Sequence, residues 1–420
     1  MTDSNNWTLL PFLRDSAGVD TMVTACGIRL DISRQRLTGE DLKRLVDHCR
    51  TRGVEEAHRR MMAGEIVNPS EGRAALHTSL RSFSAGAPKF AEVDRERRRM
   101  LDFARQVREG IRLGCRGDRI TDVINVGIGG SDMGPHAVYH ALRPSNPKIR
   151  VHFLSTVDGV LLERILDVCN PLTTLVVVSS KSFGTRETLV NAAAVDQWLL
   201  NHGIVGTDRA HHMVVVSANP DAAAQMCLPE ENFFRMWDWV GGRFSVWGAV
   251  GLPLALSLGP EVFLEFLQGA AEMDRHSLTA PLEKNLPATL AMIAFWNANR
   301  LEISTHCVLP YDERLRVIVP WLQQLEMESL GKHHTPDGAA SPAGPARPSG
   351  AQTATRPSTA STSGFAKARA APASISSGAR CPATAMRSTT ACCSPTPELR
   401  PRRSSCAIPT IPASTPSQPS

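Results

Sequence analysis

The sequence has no long apolar run and no recognisable leader at its amino terminus. Its longest apolar stretch, residues 249–259, contains Pro253 and is far shorter than the roughly 20 residues that a membrane-spanning helix needs. The amino-terminal residues are polar and lack the basic segment followed by an apolar one that marks a secretory signal. The sequence therefore predicts a cytoplasmic protein without a membrane partner.

Closely spaced cysteines are also missing. The chain has 10 cysteines in 420 residues, but those that precede residue 339 are widely separated and form no Cys-x-x-Cys pair. We expect reduced, mostly buried thiols, and neither a disulfide framework nor a metal site follows from their spacing. The remaining composition, 42% hydrophobic and 21% charged, is typical of a globular protein of two or three domains.

Residues 1–338, which are most of the chain, have no large excess of positive or negative charge. The formal net charge is +5, but residues 339–420 carry +8, with Glu398 as their single acid. Subtracting this +8 from +5 leaves −3 for residues 1–338. A mildly acidic body of this kind gives no indication of nucleic-acid binding.

Helical patterns dominate residues 1–118. Residues 68–71, Asn-Pro-Ser-Glu, have the order of a capping box, with proline at the first helical position. They predict a helix whose apolar face includes Leu76 and Leu80. The charged residues 92–108 predict another helix with a solvated face.

Strands and helices alternate from residue 119 to residue 282. Short apolar runs are separated by stretches of helical length; they cover residues 120–126, 151–154, 175–178 and 213–216. Such runs predict a parallel sheet with helices on both faces, hence an α/β fold. Ligands of these sheets bind beyond the carboxyl ends of the strands, so the polar residues there are candidate site residues.

The last part of the chain divides into two segments. Residues 283–338 predict the start of a second α/β domain, with helices over 286–301 and 321–330 and a strand at 317–319. Residues 339–420 are rich in Ala, Ser, Thr, Pro and Arg, and predict a low-complexity, disordered tail.

A glycine-rich loop follows the first predicted strand. Residues 127–135 read Gly-Ile-Gly-Gly-Ser-Asp-Met-Gly-Pro, and Asp132 stands where a dinucleotide fingerprint would have its third glycine. This departure disfavours an NAD-dependent oxidoreductase. Glycines that allow close approach, and a helix that Ser131 can cap, instead favour a phosphate group at the helix amino terminus.

A second polar loop follows the third predicted strand. Residues 179–188 read Ser-Ser-Lys-Ser-Phe-Gly-Thr-Arg-Glu-Thr and contain five hydroxyl groups and a lysine. Hydroxyls and backbone amides at a helix start suit a phosphomonoester, although a simple helix cap is the alternative. Two such loops on neighbouring strand ends can form one pocket.

Two further strings stand out. Residues 238–245 place Arg243 directly after two glycines and beside aromatic residues. Gln324 and Glu328 are four residues apart and therefore lie on one face of a predicted helix. Taken singly, each has a plain alternative as a surface residue.

Together these strings resemble the glucose-6-phosphate isomerase (phosphoglucose isomerase) family over residues 68–337. They correspond to Asn-x-Ser-Glu-x-Arg-x-x-Leu-His, Gly-Ile-Gly-Gly-Ser-Asp, Ser-Lys-x-Phe-x-Thr-x-Glu-Thr, Val-Gly-Gly-Arg-x-Ser and Met-Glu-Ser-x-Gly-Lys. The resemblance implies two doubly wound, parallel-sheet sugar-isomerase domains after a helical amino-terminal segment, here with the second domain truncated.

The resemblance also implies an activity: reversible isomerisation of glucose 6-phosphate and fructose 6-phosphate through an enediol, in glycolysis and gluconeogenesis. Glu328 would be the general base and Arg243 would stabilise the developing oxyanion. The remaining residues implied to bind the sugar phosphate are Gly130, Ser131, Ser180, Lys181, Ser182, Thr185 and Gln324. The family implies no cofactor, no catalytic metal and a homodimer.

The tail departs from the family pattern. The family supplies a ring-opening histidine and a late lysine after this point, and neither is found in residues 339–420. We interpret the tail as the family sequence read out of frame, because shifted codons permit Asp-Phe-Ile near residues 374–377 and His-His near 388–390. We therefore predict that the loss of these C-terminal catalytic segments impairs the isomerase activity of this chain. A sugar-phosphate-binding protein without catalysis is the alternative function.

Overall fold

The computed structural model describes residues 22–67, 72–303, 305–328 and 350–353. These residues belong to the first of two compact units, Met1–Pro357, whereas the second, Ser358–Ser420, lies outside the described residues. The predicted tail therefore contributes only four described residues, and its disorder and out-of-frame origin remain predictions. The predicted domain boundaries also remain predictions.

A short β-hairpin precedes the helices of the amino-terminal segment. Its strands, β1 (Met22–Ala25) and β2 (Ile28–Asp31), are antiparallel and have four residues each, too few for a clear alternation in the sequence. The mainly helical character expected for this segment is confirmed by α1 (Gly39–Thr51), α2 (Val54–Met62) and α3 (Phe90–Glu109).

The α-helix predicted to run from the capping-box pattern through Leu80 is wrong. Residues 68–71 lie outside the described residues, and the helical structure that follows is a 3-10 turn at His77–Arg81. Gly72 has a φ of 62°, a left-handed conformation that interrupts an α-helix. Leu76 and Leu80 are buried nonetheless, as their apolar character predicts.

Five parallel strands form the central sheet. The four predicted runs are confirmed as strands, and a fifth strand of only three residues escaped prediction. The strands are β3 (Asp122–Val126), β4 (Arg150–Leu154), β5 (Thr174–Ser179), β6 (Met213–Ser217) and β7 (Phe233–Arg235), in the order β4-β3-β5-β6-β7. The expected α/β class with a doubly wound parallel sheet is confirmed.

Helices cover both faces of this sheet. Side chains alternate along each strand, so Val123 and Val177 face one apolar cluster while Ile124 and Val178 face the other. Strands β3, β5 and β6 are buried along their whole length. The covering helices are α4 (Met133–Leu142), α5 (Gly159–Val168), α6 (Arg186–Asn201), α7 (Ala222–Gln225), α8 (Leu252–Leu258) and α9 (Pro260–Thr279).

The strand order contains one reversal, between β3 and β5. The chain leaves β3 toward β4 on one side and later returns to β5 on the other. The connections after β3 and β5 therefore run in opposite directions, which opens a crevice at the carboxyl ends of these two strands. Both phosphate-like loops of the sequence begin there.

A smaller group of elements follows residue 282. It contains α10 (Leu286–Asn299), β8 (Thr305–Val308), α11 (Ile318–Gln323), a π-helical turn at Gln324–Glu328 and β9 (Gly350–Thr353). β8 and β9 pair in parallel. The strand predicted at residues 317–319 is wrong: Val317 caps α11, where Pro320 is tolerated because the first helical turn needs no amide donor from it.

Among the described residues, no helix is both long and apolar enough to cross a membrane.

Candidate active site

A cleft of about 560 Å³ opens at the crevice between β3 and β5. Its lining includes six residues that the sequence analysis named as ligands of a sugar phosphate. They are Gly130, Ser131, Ser180, Lys181, Ser182 and Thr185. The two loops that looked like phosphate sites therefore form one pocket.

The glycine loop after β3 is a 3-10 turn over Gly129–Ser131. Asn125 on β3 donates from Nδ2 to the Ser131 carbonyl over 3.2 Å and so ties the loop to the sheet. Ser131 does not cap α4 as expected; the capping position belongs to Asp132, whose side chain makes no cap hydrogen bond. Ser131 instead faces the cleft.

Gly130 permits a very close approach of two chain segments. A Cβ at this position would lie 2.0 Å from the Gly242 carbonyl oxygen. The Ser245 hydroxyl bridges the same two segments, at 3.1 Å from the Gly130 oxygen and 2.7 Å from the Gly242 oxygen. This contact places the Val-Gly-Gly-Arg string directly against the glycine loop.

The serine loop after β5 presents hydroxyl groups to the cleft. Thr185 occupies the capping position of α6, but its side chain makes no capping hydrogen bond. Within the described part of the chain, the Oγ atoms of Ser180 and Thr188 are buried and have no hydrogen-bond partner. A buried hydroxyl without a partner is costly, so these two groups are suited to a ligand that supplies one.

Phe183 anchors this loop. Its side chain is buried in the cluster on one face of the sheet, and its φ is 53°, unusual for a residue with a Cβ. The loop is thus turned sharply at Phe183 and held there by burial. Backbone strain of this kind is common where a loop must present groups to a ligand.

The ammonium group of Lys181 joins the serine loop to the segment that carries Arg243. Its Nζ donates to the carbonyl oxygens of Asp238 at 2.6 Å and Val240 at 2.8 Å. Arg73 donates to the same Asp238 oxygen over 3.0 Å. Two cations therefore stand at the wall of the cleft, and both also organise its backbone.

Arg243 lies beside an aromatic stack. Its guanidinium is 4.9 Å from the centre of the Phe244 ring, and this ring stacks on His77 with centroids 4.1 Å apart. Burial, with Arg81 and Arg243 nearby, lowers the pKa of His77 to about 4. His77 is therefore neutral at physiological pH, and it supports Phe244 without adding a charge next to Arg243.

The segment after residue 317 contacts the two chain segments beside the cleft, but among the described residues neither Arg243 nor Gln324 lines the cleft itself. Trp321 Nε1 donates to the Arg243 carbonyl oxygen over 3.5 Å. Gln324 Nε2 lies 3.1 Å from the position of a Cβ on Gly129. The backbone of Glu328 ends a π-helical turn, a feature often found at functional sites, and its side chain lies outside the described residues.

Several cleft residues were not named from the sequence. Arg73 belongs to the Asn-x-Ser-Glu-x-Arg string, so a signal for it was present in the motif. Asn219, Met236 and Asp238 follow β6 and β7, and only the sheet topology brings them to the cleft. Their sequence surroundings contain no pattern that identifies them.

Known proteins match this chain in sequence and in structure. The chain is 48% identical to the glucose-6-phosphate isomerase of Paraburkholderia phytofirmans over 314 residues, which are 74% of this chain and 58% of the relative. The corresponding enzyme of Burkholderia ambifaria is 47% identical over 313 residues, with the same shares. The chain thus spans a little over half the length of the curated relatives that it matches.

A solved structure has the same architecture. The crystal structure of a glucose-6-phosphate isomerase from Chlamydia trachomatis aligns with a TM-score of 0.69 and 31% identity, covering 76% of this chain and 62% of that one. A model of the family described as phosphoglucose isomerase matches residues 31–353, which extends 15 residues into the segment that the sequence analysis set apart as a tail. The chain belongs to the phosphoglucose isomerase family.

Proposed function

We propose that this chain binds glucose 6-phosphate and fructose 6-phosphate in the cleft and interconverts them through an enediol. One observation carries the proposal: buried, unpartnered hydroxyls of the serine loop and the Gly130–Gly242 contact enclose one pocket at the β3–β5 reversal. Family membership and the named relatives support the choice of substrate.

The phosphate group fits the serine loop. A phosphate oxygen accepts the hydrogen bonds that the hydroxyls of Ser180, Ser182 and Thr185 can donate, together with backbone amides at the start of α6. Lys181 adds positive potential from the wall while its ammonium group remains bound to carbonyl oxygens. The phosphate would thereby hold the sugar with its reacting carbons toward Gly130 and Ser131.

The chemistry requires a proton to move between two carbons. A carboxylate base, which we assign to Glu328, removes the proton from C2 of the open aldose, and the electrons form the C1–C2 double bond of the enediol. In the enediol the former carbonyl oxygen on C1 has taken up a proton from solvent. The same base then returns the carbon-bound proton to C1 while the C2 hydroxyl gives up its proton to solvent and becomes the carbonyl of the ketose. Negative charge that develops on the sugar oxygens is stabilised by Arg243, which Phe244 and the Trp321 contact hold in place.

Gln324 completes the proposed sugar contacts. Gln324 begins the turn that ends at Glu328, and its side-chain amide lies against the glycine loop. An amide in this position can orient a sugar hydroxyl through a hydrogen bond. We also propose a homodimer, which the family resemblance implies, and a cytoplasmic location, which the polar amino-terminal sequence favours. Light scattering and cell fractionation test these two proposals.

Binding without turnover is the second candidate. It is favoured by the end of the family match at residue 353, ahead of the ring-opening histidine and late lysine that the resemblance implies. Both candidates use the same phosphate loops, so binding alone does not separate them.

The deciding experiment is a coupled assay of glucose 6-phosphate formation from fructose 6-phosphate, together with calorimetric binding of both sugars. We expect turnover that falls about 100- to 10,000-fold in Glu328→Gln, since general-base catalysis contributes factors of that order. Glu313→Gln, on an exposed turn of the same segment, is the matched control and should retain turnover. Binding in a folded protein without turnover would instead establish the second candidate.

A further inference from the structure

A group of three potential metal ligands lies at the end of the sheet opposite the cleft. It consists of Asp122, His152 and Cys169, and their ligand atoms all lie within 4.8 Å of one another. In the part of the chain that the structure describes, this is the one such group found. Asp122 begins β3, whose carboxyl end carries the glycine loop about 13 Å away at roughly 3.3 Å per residue.

The three residues come from separate parts of the sheet. His152 is on β4, and the ladder of β3 with β4 brings its ring beside the Asp122 carboxylate, with His152 Nε2 at 2.8 Å from Asp122 Oδ1. Cys169 follows α5 and points into the same space. Asp122 is 1% exposed and Cys169 8%, while the His152 side chain is 18% exposed and leaves a route from solvent.

We propose that Asp122, His152 and Cys169 bind a zinc ion. Carboxylate oxygen, imidazole nitrogen and thiolate sulfur are the ligand types of protein zinc sites, and three of them leave a fourth tetrahedral position for water. Zinc with bonds of about 2.0–2.3 Å separates its ligands by roughly 3.3–3.7 Å. The Asp122–His152 pair must therefore open slightly, and the sulfur must move in by at most about 1 Å, since all the ligand atoms lie within 4.8 Å of one another.

The surroundings of Asp122 orient its carboxylate for this role. Thr121 Oγ1 and Arg150 Nη2 both lie 2.8 Å from the Asp122 Oδ2 atom. They occupy one carboxylate oxygen and leave Oδ1 directed toward His152. The Thr121 hydroxyl can keep its bond to Oδ2 when the ion is bound, and hydrogen bonds of this kind to the outer atoms of a ligand are the usual support of a zinc site.

Arg150 also opposes the ion by its charge. The structure without zinc uses this guanidinium to neutralise Asp122. The Arg150 side chain is 54% exposed, so it can turn toward solvent when the ion enters. Replacing Arg150 by glutamine is therefore expected to strengthen zinc binding rather than weaken it.

Zinc binding requires the thiol to lose its proton. Burial, followed by the charge of Asp122, raises the pKa of Cys169 to about 12, so the sulfur is a thiol in the metal-free chain. When the Zn–S bond forms, the S–H bond breaks and the proton passes to solvent. The bound ion would tie β3 and β4 to the connection between α5 and β5, at the edge of the sheet.

The test uses the full 420-residue chain, stripped with a chelator and titrated with Zn²⁺ against a chromophoric competitor. One tight zinc equivalent is expected, and it should raise the melting temperature. Cys169→Ser and His152→Asn should each weaken this equivalent about 100-fold or more, because changes outside the ligands alone cost about 10- to 100-fold. Cys227→Ser, at an exposed cysteine, is the matched control and should keep it.

The zinc titration must also distinguish an ion bound at this site from an ion bound by other cysteines of the chain. X-ray absorption of the tight zinc equivalent should show one sulfur in the first shell, as Cys169 supplies only one. Two or more sulfurs would overturn the proposal, as would equal zinc affinity of the wild type and His152→Asn. If Cys169→Ser does not fold, His152→Asn and Arg150→Gln decide, with opposite expected shifts in affinity.

Discussion

The two sides of the candidate active site are built in different ways. The phosphate side stands on β3, β5 and β6, in which every residue is buried between two helical layers. The opposite side is built from α11 and the turn after it, where Val319 is the one buried residue among the described side chains of 306–327. The proposed site thus combines one wall fixed by buried strands with a second wall that depends on a few docking contacts.

Because the two walls differ in burial, we expect them to have separate roles in binding and in turnover. Side chains at the ends of buried strands have little freedom, so we expect the proposed phosphate site to be formed before the ligand binds. The wall that carries Gln324 and the Glu328 backbone reaches the cleft through Trp321 and the glycine loop. Turnover is therefore expected to be more sensitive than phosphate binding to changes in the docking contacts.

The largest effect is expected where the walls meet, at Gly130→Ala. The new methyl group would overlap the Gly242 carbonyl, so the two segments must separate, at a cost of about 3 kcal/mol or more in unfolding free energy. Sugar-phosphate binding and turnover should both be lost. Urea unfolding and calorimetry measure these changes.

Gly269→Ala is the matched control, because a Cβ at this helical position in α9 meets nothing within 4 Å. It should leave binding unchanged and raise stability by up to about 1 kcal/mol. A Gly130→Ala variant that is as stable and active as the control would show that the walls do not depend on this contact.

An intermediate effect is expected from the pH dependence of the stack behind Arg243. The pKa of His77 is lowered to about 4 in the folded chain, so the unfolded chain binds more protons as the pH falls below about 6.5. The contribution of His77 to stability is therefore complete above that pH and is lost toward pH 4. Between roughly pH 7 and pH 5, His77 accounts for a loss of about 2 kcal/mol in the free energy of unfolding.

His77→Phe tests this contribution of His77 to the pH dependence of stability, since phenylalanine can keep the stack on Phe244 but does not titrate. Its unfolding free energy should fall less than that of the wild type between roughly pH 7 and pH 5. His202→Phe, at an exposed histidine, should follow the wild type. An unchanged pH dependence in His77→Phe would contradict the buried, neutral state of His77.

The smallest effect is expected from loosening the second wall with Trp321→Phe. The substitution removes the donor to the Arg243 carbonyl, worth about 0.5–1 kcal/mol, or a two- to fivefold fall in turnover. Inorganic phosphate should bind as tightly as in the wild type. Trp198→Phe, on α6 and away from the cleft, is the control. If Trp321→Phe lost phosphate binding and turnover equally, the two walls would not have separate roles.

The strands were predictable because β-branched runs such as the one in β5 leave few alternatives to a buried strand. The same reasoning misplaced residues 317–319, where Val317 caps a helix that begins at Ile318. So short a run fits either structure, and the contacts of Val319 with the folded chain decide between them. β7, with three residues, escaped for the same reason.

The candidate site was predictable where one continuous string supplies it. Glycines and hydroxyls after β3 and β5 marked the two loops as candidate phosphate sites, and the family resemblance then implied Gly130, Ser131, Ser180 and Thr185. All four residues line one cleft. The roles that we assign to these residues remain proposals. Asp238 was not predicted because it accepts the hydrogen bond of Lys181 through its backbone oxygen, a group that every residue has.

The sequence by itself indicated the family through the resemblance of its five ordered motifs. It determined the parallel sheet and the two phosphate-like loops, because local patterns of apolar and polar residues encode them. Only the tertiary structure placed His77 on Phe244 and collected Asp122, His152 and Cys169 at one end of the sheet. These residues are far apart in the chain, and their types allow many plain roles. Strand order and register decide which distant side chains meet, since hydrogen-bonded strands bring their neighbours together regardless of the number of residues between them.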